Sequence, residues 1–439
     1  QVINWGESLF FQGVNQINPL DAPALRRPGA ELKEGLMPVW AANANVGLGG
    51  GVSLEGFYQL AWEPTTADAC GTYWSTLDIA VGASPGQCNK IVVGLGSTAA
   101  SIASGTYAPL VDGRESRNSG QAGLALKVPV DALDTEFGLY AMNIHSRTPV
   151  ISARTGAWGS TPGGAKTTLF PLMAHQTSAA LSAFGIRSTT GFWEYPEDVQ
   201  VYGVSAATNM GGWSLGSEFS FTPNLPVQRN ANDLLNALLT GRGPLGGVAR
   251  TTSALTEFTG YDRLQRSQLL VNGVKSFGGV LGSDKTTLMG EVAVQHSDVH
   301  DYSDGRSTRY GRSFIFGTGS SATENTCSGT VNPNADGCKN DGYATPWAWG
   351  YRLRAQLEYP QIFNTAVTFL PSLYLAHDVS GYSVDGQMIE DRLQTGLTLR
   401  FSYERQYNLD VSYVTYADWA TYDPLRDHDF VSISASATF

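Results

Sequence analysis

A closed, antiparallel transmembrane β-barrel of at least fourteen strands is the fold that this 439-residue chain predicts, and three observations predict it. Charged residues are only 15% of the chain, yet no run of about 18 apolar residues offers a spanning helix. Segments of strict apolar–polar alternation recur along its whole length. The connections between them alternate between short and long, as periplasmic turns and external loops do in outer-membrane barrels.

Composition agrees with one barrel domain over residues 1–439. Fifty Gly, 19 Tyr, 18 Phe and 10 Trp describe a chain of turns and short strands. The mean hydropathy of −0.14 is nearly neutral, because lipid-facing apolar and lumen-facing polar residues cancel in such a wall. A net charge of −11, with no basic group larger than the pair Arg26-Arg27, excludes nucleic acid as a partner. The four cysteines form two close pairs, Cys70/Cys88 and Cys327/Cys338, in Gly-, Ser-, Asn- and Thr-rich stretches. Neither has the spacing or the nearby His of a zinc site, so two local disulfides in an oxidising compartment are expected. No signal peptide is visible. Gln1 opens directly into strand-like sequence, so residues are expected before it.

The last ten residues set the class. Val431, Ile433, Ala435, Ala437 and Phe439 alternate with Ser432, Ser434, Ser436 and Thr438, and a terminal strand ending on an aromatic is similar to the assembly signal of outer-membrane barrels. Earlier segments repeat the pattern. Trp347, Trp349, Tyr351, Leu353 and Leu357 oppose Arg352, Arg354, Gln356 and Glu358, and Leu393, Leu397, Leu399 and Phe401 oppose Gln394, Thr398, Arg400 and Glu404. Aromatics gather at strand ends, as in interfacial belts. Strands are expected near residues 1–11, 38–48, 52–62, 120–130, 134–146, 198–209, 212–222, 263–277, 285–297, 347–359, 364–377, 392–404, 407–418 and 427–439. Counting back from a periplasmic C-terminus places the short turns inside and the long loops 63–119, 147–197, 223–262 and 298–346 outside, with both cysteine pairs. Strand 1 then runs outward, the N-terminus is periplasmic and the strand number is even.

Several stretches resemble a proteobacterial outer-membrane barrel family, domain of unknown function 1302. They are Asn4-Trp5-Gly6-Glu7-Ser8, Asn18-Pro19 with Asp21, Pro28 to Glu34, His145-Ser146-Arg147, Tyr195-Pro196-Glu197-Asp198, Glu218-Phe219-Ser220 and Pro226 to Asn230 with Asp233-Leu234. The family carries a long segment before its Trp-Gly-Glu-Ser motif that is absent here, which makes fourteen a lower bound. The resemblance implies a membrane barrel working beside periplasmic lipid-carrier proteins and export pumps in handling hydrophobic compounds, and it implies no catalytic residue.

Three places are candidate sites. Glu55, Glu218, Glu291, Arg352, Arg354, Glu358, Arg400, Glu404 and Asp410 are expected to line the lumen, since a charge on the lipid face costs about 2–4 kcal/mol at mid-depth. There they either select and orient a solute or cross-link the interior. Residues 230–239 read as a short helix with Asn230 as N-cap and Gly241 beyond its end. Its stripe of Leu234, Leu235, Leu238 and Leu239 offers a greasy binding surface or packs on neighbouring loops. The turn-rich segment Asn15 to Met37 either folds inward as a constriction or forms an external loop. Catalytic and nucleotide motifs are absent. Asp298, Asp301, Asp304 and Glu324 read as a solvated acidic loop more readily than as a Ca²⁺ site, so no metal and no cofactor are expected. The expected function is diffusion of a small hydrophobic or amphipathic solute through the outer membrane of a Gram-negative bacterium. The alternative is a scaffold that docks a periplasmic partner without conduction, and an enzyme is not expected.

Overall fold

Period-two segments pair with their neighbours in the chain, since a one-residue slip would turn the apolar face inward. The result is a single thirteen-stranded antiparallel sheet. The computed structural model describes residues 2–25, 35–75, 79, 88–92, 98–156, 187–327 and 335–438. The wall strands are β1 (Ala41–Gly49), β2 (Val52–Gln59), β3 (Ala122–Val130), β4 (Thr135–Ile144), β5 (Val199–Met210), β6 (Trp213–Gln228) and β7 (Tyr261–Phe277). They continue as β8 (Lys285–Ser297), β9 (Trp347–Glu358), β10 (Val367–Ser380), β11 (Leu393–Tyr403), β12 (Tyr407–Tyr416) and β13 (Phe430–Ala437). These match the last thirteen expected segments. The short turns suit their chemistry: Gly211 and Gly212, at φ of +59° and +77°, supply the two left-handed residues that a tight hairpin requires.

The first expected strand, 1–11, is a correction. Residues 2–18 form no strand and lie across the inner face of the sheet. Gly6 at φ +85° bends the chain, and the amides of Glu7, Leu9, Phe10 and Phe11 go to side-chain carboxylates, not to a neighbouring strand. The expected even count therefore falls to thirteen among the described residues, and with it goes the orientation assigned to the N-terminus. Closure is not seen among the described residues, where β1 and β13 are not paired with each other. With directions alternating, strands one and thirteen run the same way and cannot meet as antiparallel neighbours. The sheet nonetheless curls. Tyr73, in the loop after β2, donates to the Asp429 carbonyl at 2.9 Å, and Trp74 packs edge-on against Phe430 of β13 at 5.0 Å.

Two adjacent rows of residues, read across the register, define the faces. Leu126, Leu139, Val204, Phe219, Leu269, Val294 and Trp349 are successive partners across seven strands, and the row points away from the interior. One residue along, Ala125, Tyr140, Gly203, Ser220, Gln268, Gln295 and Ala348 are successive partners on the other face. The second row is buried and largely polar or small, while the first is largely exposed and wholly apolar. A water-soluble sheet has the opposite arrangement. This inversion is that of a wall set in hydrocarbon. No helix among the described residues is long and apolar enough to cross a membrane, which says nothing about strands.

The long loops carry structure that alternation does not reveal. Val150–Arg154, Thr190–Glu194 and Glu257–Phe258 form one small sheet, and Lys90–Val92 with Tyr107–Pro109 another. Both expected disulfides are present, Cys70–Cys88 with Cα atoms 6.3 Å apart and Cys327–Cys338 at 5.0 Å. The pair Arg26-Arg27 and the stretch Pro28 to Glu34 lie outside the described residues, as does Phe439.

Candidate functional site

The interior is organised by two glutamates that the alternation turns inward. Glu218 on β6 accepts the Glu7 amide at 2.9 Å and the Val14 amide at 2.6 Å, one on each carboxylate oxygen. Glu291 on β8 accepts the amides of Leu9 (2.7 Å), Phe10 (2.8 Å) and Phe11 (3.2 Å). Both side chains are almost wholly buried, and charge-assisted bonds from N–H donors are what make a buried carboxylate tolerable. Close approach explains two glycines, because a Cβ on Gly6 or Gly13 would lie 1.9 Å or 1.7 Å from a Glu218 oxygen.

Around these bonds the segment packs against the wall. Ile3, Trp5, Val14 and Ile17 cluster with Phe57, Ala125, Tyr140, Met142, Ile144, Val199 and Val201, and Phe11 joins Leu270, Ala293, Ala348 and Met388. The inner face is therefore amphipathic, with an apolar floor beneath Trp5 and Ile17 beside the polar row. At one end Arg147 donates to the Ile17 carbonyl at 3.0 Å and to Glu63 O at 2.9 Å, and burial lowers its guanidinium to about 10. At the other, Gln12 N–H donates to Gln387 Oε1 at 2.6 Å. Beside it Asp385 pairs with Arg266 at 2.8 Å. Burial pushes the Asp385 carboxyl up, but Arg266 and Gln387 more than offset this and hold it below its ordinary range.

The other expected lumen residues are placed as follows. Glu55 is half-buried on β2, opposite Asn45 and Ala125. Arg352 pairs with Asp378 at 2.6 Å and lies 4.4 Å over the Phe11 ring. Arg400 pairs with Asp410 across the β11–β12 register, Nε to Oδ1 at 2.6 Å. Arg354 is exposed and donates to Ser372 Oγ at 3.2 Å, and Glu358 ends β9 opposite Lys285. Glu404 is a correction. It sits exposed in the turn after β11 at φ +52°, where the chain has left the alternation. Sequence reasoning missed Asp378, Asp385, Arg266, Val14 and the two close-approach glycines. Gly6 and Glu7 stood in the Trp-Gly-Glu-Ser motif, the one available signal.

The loop helix Ala231–Thr240 forms with the expected caps: Asn230 Oδ1 accepts the Asp233 amide at 3.0 Å, and the Gly241 amide bonds Ala237 O at 2.8 Å. Its leucines pack on other loops. Leu234 and Leu238 join Ala153, Leu245 and Phe258, while Leu235 and Leu239 pack against Ile79, Ile91, Ala108 and Ile151. A cavity of about 20 Å³ remains between the helix and Ile91 and Phe314, room for one water and no solute. Asn230→Ala is expected to destabilise this helix by about 1 kcal/mol, read as faster amide exchange at Asp233 and Leu234. Asp298, Asp301 and Asp304 accept nearby backbone amides and Glu324 accepts from Asn236 at 2.7 Å. Among the described residues no group of three or more His, Cys, Asp or Glu is placed to hold a metal.

The family model described as a protein of unknown function, DUF1302, matches residues 1–439. No curated protein matches. Among solved structures the β domain of the Bordetella autotransporter BrkA is similar, with 13% identity over 73% of this chain and 91% of that one. The TM-score is 0.25.

Proposed function

This chain belongs to the DUF1302 family over its whole length, and from that premise we propose that it is an outer-membrane barrel of a Gram-negative bacterium through which a small hydrophobic or amphipathic solute passes. One observation carries the reading. Much of the interior is occupied by a length of chain, residues 2–18, packed against the wall side chains. Without that segment the inner face offers an apolar floor (Phe57, Met142, Val199, Val201) beside the carboxylates of Glu218 and Glu291, a lining suited to an amphipath. Among the described residues Arg400–Asp410 is an internal cross-link of the wall, and Arg352, paired with Asp378, adds a cation beside the Phe11 ring. No catalytic role is part of the proposal.

The filled interior also favours a second reading, a non-conducting scaffold that docks a periplasmic lipid-carrier protein. Planar bilayers separate the two. The wild-type protein is expected to give brief conductance steps, and Gly13→Val, whose side chain meets the Glu218 carboxylate, to give frequent ones. Silence from both sinks the passage. Capture of a lipid-carrier protein by the silent barrel then supports the scaffold.

A further inference from the structure

We propose that residues 2–18 are a releasable plug, docked through their main chain onto Glu218 and Glu291, whose departure opens the interior. This rests on the passage reading above.

The mode of attachment is the first argument. Among the described residues the segment shares no main-chain ladder with any wall strand. Five of its amides converge instead on two carboxylates that belong to the wall. Such bonds are replaced by water when the segment leaves, whereas breaking a strand ladder in a membrane wall strands peptide groups in hydrocarbon. The wall does not depend on the segment for its own pairing.

The shape of the wall is the second. A Cβ on Gly203 would meet Val14 Cγ2 before any wall atom, while one on Gly216 would meet the wall's Asn272 Oδ1 at 2.8 Å and Glu7 Cβ at 3.0 Å, and one on Gly123 would meet Phe57 and Met142 before the Trp5 ring at 3.0 Å. Glycine weakens a strand interior and is placed where another backbone comes close. The wall is thus hollowed for the segment at Gly203 on β5, and at Gly216 and Gly123 the segment shares a tight space with wall side chains.

The third argument is an imperfect fit. Trp5 is 1% exposed, yet its indole N–H finds no acceptor, and neither does the Asn18 side-chain amide, among the described residues. A permanently buried indole normally bonds its N–H. The docked state therefore carries unmet polar groups that the released state gives to water.

Thiol labelling tests release independently of conduction, because all four native cysteines are in disulfides. A Ser8→Cys full chain in lipid vesicles is expected to react slowly with a charged maleimide. Adding Glu218→Ala and Glu291→Ala is expected to speed the reaction about tenfold or more, since several charge-assisted bonds are lost at once. An unchanged rate, in protein that still shows the gel mobility of a folded barrel, overturns the proposal. As a second measurement, Val14→Cys with Gly203→Cys, oxidised to a cross-link, is expected to show about a tenfold loss of channel openings against either single variant. Equal conduction in the cross-linked protein also overturns it. Accelerated labelling without any conductance upholds release of the segment and sinks the opening together with the passage reading.

Discussion

Leu269→Lys is expected to destabilise the folded protein in phospholipid by about 2–4 kcal/mol, the cost of a charge on a barrel's lipid face near mid-depth. Leu269 is at the centre of β7 and half-exposed. Its cross-strand partners are Phe219 and Val294, both exposed and apolar, so a lysine there has no counter-ion and no short route to water. Asn45→Lys is the matched control. Asn45 is exposed on the inner face of β1, opposite Glu55, and the same charge there is expected to change stability by less than about 0.5 kcal/mol. Urea-driven unfolding and refolding in phospholipid vesicles measures both. Equal tolerance at the two sites would mean that the outward row meets water, and the membrane assignment would fall with it.

The parity on which that contrast depends was legible in the sequence, because alternation is a local property. Glu218, Glu291 and Arg352 face inward for the same reason that Val431 and Ile433 face outward. Loop chemistry of short range was legible too: Asn230 caps and Gly241 ends the helix as residue type alone suggests, and each cysteine bonds its near neighbour. Long-range matters were not. Residues 2–11 have strand-like composition, but their amides are claimed by carboxylates more than 200 positions away, and no local pattern records that. Glu404 obeys the alternation up to the point where the backbone turns. Arg266 on β7 meets Asp385 from the loop after β10, three strands further along the sheet, whereas Arg352 and Asp378 are on adjacent strands two register positions apart.

The long loops offer the largest effect of a single side-chain truncation. Asp233, in the first turn of the loop helix, and Arg309 are both wholly buried, with Arg309 Nε donating to Asp233 Oδ2 at 2.7 Å and Nη2 bonded to the other oxygen. Burial pushes the Asp233 carboxyl up, and the facing guanidinium opposes that shift. Arg309 also donates to the carbonyls of Ser320 and Gly319 and to Asn340, and lies 4.3 Å over the Tyr343 ring. One guanidinium thus joins the helix to the loop that carries the Cys327–Cys338 disulfide. Asp233→Ala leaves that cation buried without its counter-ion, so a loss of about 3–5 kcal/mol is expected. Asp233→Leu with Arg309→Met removes both charges and should cost clearly less, because an apolar pair has no desolvation to compensate. Protease cleavage within residues 298–346 of vesicle-embedded protein reads the loop layer apart from the wall. If the single variant is no more susceptible than the double, the ion pair does not hold the loops together, and the disulfides and leucine clusters alone account for their order.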